Sequence, residues 1–423
     1  MPVLGCIADD FTGATDLAGH LVASGMRTIQ TIGVPTEPTD AYDDVDALVV
    51  ALKSRTVPAE DAIQASLEAL EWLQSQGCSR FYFKYCSTFD STAAGNIGPV
   101  AEALMAALDT PFTIACPALP ANRRTVYQGH LFVGDALLNE SGMQDHPLTP
   151  MTDANLVRVL SAQIRCPVGL IDTATIREGE SAVRQRIATL SADGTGMAIC
   201  DTTEEQDLDV LARATSDLAL VTAGSGLASG IARAYAARQQ RQEPAYPPIT
   251  MTGAAAIISG SCSRATRAQV EHGRAHYTSY HVDALALAED YDRVITAALA
   301  VADETIDQGP LLVYASAAPE TVRAAQEALG VAESGALVER ALADIAAALV
   351  ERHGVRRLLV AGGETSGAVV EKLGVAALRI GPDIDPGVPW TTTIGTDQPL
   401  ALALKSGNFG APDFMTKAWE LLA

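Results

Sequence analysis

Positive charge is scarce in this chain. Lys and Arg together number 29 against 51 Asp and Glu, a formal net charge of −22. A surface of that sign argues against nucleic-acid binding, which needs a basic footprint. It also means that an anionic ligand has to be met by a local focus of cations set against the overall field. Cysteine is thin as well. Seven are scattered at 6, 78, 86, 116, 166, 200 and 262, an odd number with no CxxC pair. Neither a disulfide framework nor a zinc site is indicated, and a reduced, cytoplasmic protein is the plain expectation. No apolar stretch approaches the ~18 residues of a membrane span. The N-terminus has no basic segment leading into an apolar one, so no secretion signal is expected. GxxxxGK[ST], HExxH and GxSxG are all missing, which leaves Walker-type, zinc-protease and serine-hydrolase readings without support.

What is present is a globular chain of α/β type. Hydrophobic residues make up 48% and charged residues 19% of 423 positions, enough for two or three domains with a sizeable core. Short apolar runs alternate with amphipathic stretches. The runs at 3–8, 47–52, 80–84, 112–116, 168–171, 197–200 and 218–221 read as strands, and 59–76 and 100–108 as helices. "RQQRQEPAYPPIT", residues 238–250, is polar with three prolines and reads as a linker. Beyond it, 254–258, 311–315, 357–360, 377–380 and 400–404 read as strands, with an Ala-rich helix at about 339–352. The expected fold is α/β, with two domains (1–240 and 250–423), each a mostly parallel sheet flanked by helices. No internal repeat is visible.

In open α/β sheets, ligands sit beyond the carboxyl ends of the strands. The first strand is followed by "DDFTG" (Asp9 to Gly13), the third by "KYCSTFDSTAAGNIG" (Lys84 to Gly98), the fourth by "CPALPANRRTVYQG" (Cys116 to Gly129) and the seventh by "TAGSGLASG" (Thr222 to Gly230). Loops are polar in general, and Ser, Thr and Asp cap helices, but four such loops on one edge suggest a pocket. The second half repeats the pattern with "ISGSCSRAT" (258–266), "VAGGETSGAVV" (360–370) and "LKSGNFG" (404–410). Glycines let a backbone approach a phosphate, and helix N-termini bind anions. Gly224-Ser225-Gly226 resembles half of a dinucleotide fingerprint, with Ser229 where the third glycine belongs.

"ADDFTGATD", "GGETSGAVV", "PGVPW" and "LALKSGNFG" resemble the four-carbon acid sugar kinase family. Within it, "FKYCSTFDSTAAGNIGPV" and "CPALPANRRTVYQGHLFVG" are similar to the branch acting on 3-oxo-tetronate. The threonate and erythronate kinases tend to carry a KxDSTLRGN-like version. The resemblance implies an N-terminal acid-sugar domain, a C-terminal nucleotide domain, and ATP-dependent phosphorylation of the C4 hydroxyl of 3-oxo-tetronate. D-threonate or D-erythronate 4-kinase activity is the alternative within the family. It implies nucleotide contacts at Ser259, Ser261, Ser263, Gly362, Gly363, Glu364, Thr365 and Gly407.

Phosphoryl transfer is mainly positioning and charge stabilisation. It uses a cation on the phosphates, usually Mg²⁺, and a carboxylate that takes the proton of the attacking hydroxyl. Asp10 is the first candidate for that carboxylate and Asp9 the second. Neighbouring side chains in extended backbone point to opposite sides, so one of the pair is expected to face substrate and the other to cap the helix starting near Thr12. Asp16 reads as structural. Arg55, Lys84 and Arg123, with Arg124, are candidate donors to an anionic substrate, and Ser87, Thr88, Asp90, Gly95 and Asn96 candidate hydrogen-bonding groups. The metal ligands are not identified. Expected partners are an acid-sugar substrate and ATP, without nucleic acid or membrane, and with room for a homo-oligomer. Two rival classes are a dehydrogenase built on Gly224–Gly230 and a non-catalytic sugar-acid-binding protein. The first rests on a segment that lies late in its domain and has no acidic residue on a following strand ~20 residues on; the second would not need a second glycine-rich anion site.

Overall fold

The computed structural model describes residues 2–36, 42, 45–146, 148–240 and 249–422. The centre of the stretch read as a linker, 241–248, lies outside the described residues. The chain divides into two compact units, Met1–Ala245 and Tyr246–Ala423.

The first unit carries strands β1 (Leu4–Ala8), β2 (Thr28–Ile32), β3 (Ala47–Ala51), β4 (Arg80–Lys84), β5 (Thr113–Cys116), β6 (Arg124–Tyr127), β7 (His130–Val133), β8 (Ala136–Leu137), β9 (Val168–Ile171), β10 (Met197–Cys200) and β11 (Leu220–Ala223). Eight of them form a parallel sheet in the order β2-β3-β1-β4-β11-β5-β10-β9. Strands such as β1 and β3 are buried at every residue, the condition in which strands read as unbroken apolar runs rather than alternating ones. β6, β7 and β8 make a separate antiparallel sheet that begins inside the segment read as a loop after β5 and continues past its end.

The second unit carries β12 (Ala254–Ser259), β13 (Ser279–His281), β14 (Leu311–Tyr314), β15 (Val355–Ala361), β16 (Ala377–Asp385), β17 (Val388–Ile394) and β18 (Ala401–Lys405). The order is β13-β14-β12-β15-β18-β17-β16, parallel as far as β18 and antiparallel beyond it. The Ala-rich helix runs Val331–Arg352, two turns longer at its start than its alanine content indicates. It buries Ala341, Leu342, Ile345, Ala346 and Leu349, the stripe that 3.6-residue periodicity requires.

Both units share a topological device. β1 lies between β3 and β4, and β12 between β14 and β15. In each case the chain lays its second strand two places out on one side, returns to set the third beside the first, then crosses to the other side. The carboxyl end of that first strand is the switch point where a crevice opens. Asp9-Asp10 follow one such end, and Ser259 terminates the other.

Candidate active site

Ala8, the last residue of β1, is in register with Ala51 of β3 and Lys84 of β4. Asp9 and Asp10 therefore emerge between the loop that follows β3 and the end of β4. Arg55, on that loop, reaches back. Its Nε and Nη2 donate to the two Asp9 carboxylate oxygens at 2.8 Å each, and Nη2 also donates to Asp10 Oδ1 at 2.6 Å. Lys84 Nζ stands 3.4 Å from the same Asp10 oxygen, and Thr12 Oγ1 donates to Asp10 Oδ2 at 2.9 Å. The two carboxylates thus share a guanidinium instead of parting to separate partners. Asp10 starts the helix Phe11–Ala23 as its N-cap residue but makes no side-chain capping bond.

Electrostatics separates the two acids. Burial raises the Asp9 carboxyl above its ordinary range against the pull of Arg55. Burial also opposes the Asp10 charge, but Arg55 and then Lys84 outweigh it and hold that carboxyl well below the usual range. Burial alone would depress Lys84, yet Asp10 and Asp9 raise it, so the ammonium is charged at neutral pH. Asp10 is also the more open of the pair, with 28% of its side chain exposed against 8% for Asp9. An ionised carboxylate at a cleft between two cations can orient a hydroxyl.

The flanking loops are tightly built. Asp90 Oδ2 lies 3.9 Å from Arg55 Nη1, and its Oδ1 accepts from Thr88 Oγ1 at 2.7 Å. Phe89 and Asp90 adopt φ of 66° and 42°, a left-handed pair of non-glycine residues of the kind that collects at functional sites. Asn96 donates to the carbonyls of Ser54, Arg55 and Val57 at 2.8, 3.2 and 2.9 Å, so its amide fastens the loop that presents Arg55. A Cβ on Gly95 would strike Ser91 Oγ. Ser87 lies on the same loop, half-buried. Arg123, beyond β5, is exposed on a left-handed backbone (φ 56°) with its guanidinium over Gly134. Unlike Arg55 and Lys84 it is in no ion pair among the described residues, which leaves it free for an anion.

Gly13 is required by this packing, because a Cβ there would collide with Lys84 Nζ and Asp10 Oδ1. Gly13→Ala is expected to push Lys84 off Asp10 and cost about 1–3 kcal/mol of stability, the ordinary penalty of overpacking. Thermal denaturation checks this, and an unchanged Tm would mean that the ion pair is not sterically locked.

Gly224 and Gly226 have a structural reason. A Cβ on either would stand 2.5 Å from a carbonyl oxygen, that of Pro117 or of Ala118. These glycines seat the helix Gly226–Arg238 on the backbone after β5, which leaves no phosphate approach there and removes the basis for the dehydrogenase reading.

In the second unit Ser259, Ala361 and Lys405 are register partners on β12, β15 and β18. The three glycine-bearing segments therefore leave the sheet at one level. Their contacts admit no side chains. A Cβ on Gly260 would strike Thr365 Oγ1, one on Gly362 (φ 133°) would lie 2.8 Å from the same oxygen, and one on Gly407 would lie 2.5 Å from Ser261 Oγ. Ser263 caps the helix Arg264–Arg274 by accepting from Thr266 N, and Ser259 is buried against Ser316 at 2.9 Å. Gly363 differs, since nothing lies within 4 Å of a Cβ there. It opens the helix Gly363–Lys372 and, with Gly260, Ser261, Gly362, Glu364 and Thr365, lines one end of a pocket of about 400 Å³. The rest of that pocket mixes apolar walls, Val282, Leu285, Ala317, Val322, Ala325 and Val338 among them, with polar groups such as Asp283 and Gln326. Apolar walls beside a cluster of backbone amides at a helix N-terminus fit a nucleoside with its phosphates.

A divalent cation does not fit the Asp9–Asp10 pair, whose two negative charges are already matched by Arg55 and Lys84. Among the described residues no cluster of three His, Cys, Asp or Glu could hold a metal. Mg²⁺ carried on phosphates needs only one or two carboxylates, and Glu364 lines the right end of the pocket. Sequence reasoning missed Lys405, Thr266 and Gln269, which hold the Gly407 loop from beneath. The available signal was a lysine closing an otherwise apolar strand.

Residues 4–231 match the family model described as a sugar-binding N-terminal domain, and residues 256–415 the one described as a nucleotide-binding C-terminal domain. A 3-oxo-tetronate kinase of Burkholderia multivorans is 58% identical over 423 residues, covering 100% of this chain and 97% of the relative. One of Cupriavidus necator is 56% identical, again covering 100% and 97%. A Salmonella typhimurium LT2 crystal structure superposes with a TM-score of 0.91 at 44% identity, covering all of both chains. A Haemophilus influenzae structure gives 0.81 at 42%, covering 99% of this chain and 100% of that one. These matches run through both units and nearly the whole of each relative, and the chain belongs to the four-carbon acid sugar kinase family.

Proposed function

We propose that the chain is an ATP-dependent kinase that phosphorylates the C4 hydroxyl of 3-oxo-tetronate, giving 3-oxo-tetronate 4-phosphate. The observation that carries this is end-to-end identity above half with 3-oxo-tetronate kinases. The substrate is a hydroxylated anion, and the first unit offers groups suited to one. Arg123 takes the carboxylate, with Ser87, Thr88 and Asp90 meeting hydroxyl and carbonyl oxygens. Asp10, kept ionised by Arg55 and Lys84, orients the C4 hydroxyl and accepts its proton as the bond to phosphorus forms. Asp9 holds Arg55 in place. Gly95 and Asn96 shape the loop. In the second unit the Gly363 amide at the helix N-terminus, with the segments that carry Ser259, Ser261, Ser263, Gly362, Thr365 and Gly407, cradles the phosphates, and Glu364 is the carboxylate offered to Mg²⁺. ATP supplies the phosphoryl group when bound. Seven free thiols support a cytoplasmic setting, and no described helix is long and apolar enough to cross a membrane.

The test is Mg²⁺-dependent ADP release measured across four-carbon acids. Turnover with a 3-oxo-tetronate is expected to exceed that with D-threonate or D-erythronate. Equal or faster turnover of threonate would move the chain to the sibling specificity. Binding of a sugar acid without ADP release under any condition would leave only a binding protein. Light scattering decides separately whether copies of the chain associate.

A further inference from the structure

We propose that the Lys405 ammonium is a tethered monovalent cation that builds the Gly407 loop of the nucleotide centre, a positioning role that rests on that loop contacting the nucleotide. Lys405 ends β18 with no exposed surface. Its Nζ donates to the carbonyls of Ser406, Gly407 and Phe409 at 2.9, 3.2 and 3.2 Å, and to Thr266 Oγ1 at 3.0 Å. Four oxygens share three N–H groups. Such an oxygen ring, mostly backbone carbonyls, is the surrounding in which K⁺ or ammonium replaces its hydration shell.

The arrangement is not that of a phosphate-binding lysine, because the ammonium is enclosed and its donors are spent on the loop. It is not an ion pair either. Among the described residues no carboxylate pairs with Lys405, and burial draws its pKa down to about 7. What favours the charged form is the oxygen ring itself. Without a cation, the three carbonyls would face one another with their dipoles aligned unfavourably. The loop's remaining ties cannot replace it. Ser263 Oγ and Thr266 Oγ1 donate to Gly407 O at 2.5 and 2.7 Å, and Gln269 Nε2 donates to the carbonyls of Phe409, Gly410 and Ala411. Each fastens one edge and none fills the centre. The Lys405 main chain meanwhile accepts from Gly362 N at 2.8 Å, so the same residue joins the Gly407 loop to the Gly362–Thr365 loop.

Replacing the side chain should therefore be curable by a small cation. In the full-length Lys405→Ala chain, ADP affinity by calorimetry and KM for ATP are expected to worsen about 10- to 100-fold, the consequence of leaving buried acceptors unpaired. KM for the acid sugar should stay unchanged. Ammonium or potassium chloride should recover the nucleotide affinity, and choline chloride, too bulky for the ring, should not. Unchanged ADP affinity, or a loss in a folded chain that no small cation repairs, overturns the proposal. If the alanine chain folds only in ammonium or potassium, the proposal stands. If it folds in no salt, Lys405→Met decides, since it keeps the stem and removes the charge. Retained ADP affinity in that variant, or its failure to fold as well, would assign Lys405 to the core instead. Gly407→Val separates this idea from the reading beneath it. Normal ADP binding in Gly407→Val would mean that the loop does not touch nucleotide at all. Lost binding there with normal binding in Lys405→Ala would sink only the tethered cation.

Discussion

The Gly363→Val chain is expected to fold as the wild type does and to bind ADP at least about 100-fold more weakly, the effect of placing branched carbon atoms where a ligand atom must sit. The two halves of this expectation have separate grounds. Nothing lies within 4 Å of a Cβ at position 363 and its φ is not in the left-handed region, so the branch point of a valine finds open space and strains no backbone. The space it would enter is the end of the pocket where the helix Gly363–Lys372 begins, and a phosphate held on that N-terminus has to reach the backbone itself. Gly362 is the contrasting control. At φ 133°, with Thr365 Oγ1 2.8 Å from the added Cβ, even alanine should cost about 1–3 kcal/mol of fold stability through strain. Calorimetry with ADP and a thermal melt on both variants check the pair. Wild-type ADP affinity in Gly363→Val would show that the "GGETSG" segment is not the phosphate cradle.

Asp10→Asn is expected to lower kcat by about 10²-fold or more, the usual scale for a positioned acid–base group, with a smaller change in KM for the acid sugar. The change is nearly isosteric, and Asp9 remains to hold Arg55 through two bonds at 2.8 Å, so the fold should persist. Because Arg55 and Lys84 hold Asp10 well below the ordinary carboxylate range, its charge persists through the neutral and mildly acidic range. No acid limb from Asp10 is expected in the kcat profile between about pH 5 and 8, given an unperturbed carboxylate near 3.9. The stability that this charge contributes is likewise complete above that unperturbed value and is lost only as pH falls through the folded one. Near-wild-type kcat in Asp10→Asn would transfer the proton-accepting role to Asp9, whose raised pKa suits a base but whose carboxylate is spent on Arg55. Steady-state kinetics with the 3-oxo acid decides between them.

The parallel cores were legible because both faces of their strands are covered. Arg80–Lys84, Val168–Ile171 and Met197–Cys200 stand in the sequence with the bounds they have in the fold. Thr28–Ile32 and Val388–Ile394 went unread because "TIQTI" and "VPWTTTI" are rich in Thr and lack a continuous apolar run, the signal on which buried strands are recognised. The β6–β7 hairpin went unread because its first strand lies in a segment whose Pro, Asn and Arg content reads as a loop. The shared arrangement of the two units, first strand between third and fourth, leaves no sequence repeat, because topology constrains where strands lie and not which side chains fill them.

By itself the sequence determined which segments carry chemistry: "ADDFTG" and "KYCSTFD" beside one sheet, "SGSCS", "GGETSG" and "KSGNFG" beside the other. Polar and glycine-rich clusters after apolar runs mark strand ends, and that is a local property. Tertiary structure decided what each residue does there. Arg55 is 46 residues from Asp9 and Lys84 is 74 from Asp10, and only the register of β3, β1 and β4 turns a repelling carboxylate pair into the counter-charge of a half-buried and a buried cation. The same holds for the glycines. Position 363 faces open space, 362 a threonine hydroxyl, and 224 and 226 the backbone after β5. No one-dimensional pattern separates them, because the difference lies in what stands opposite the missing Cβ, and that is set by pairing between segments far apart in the chain.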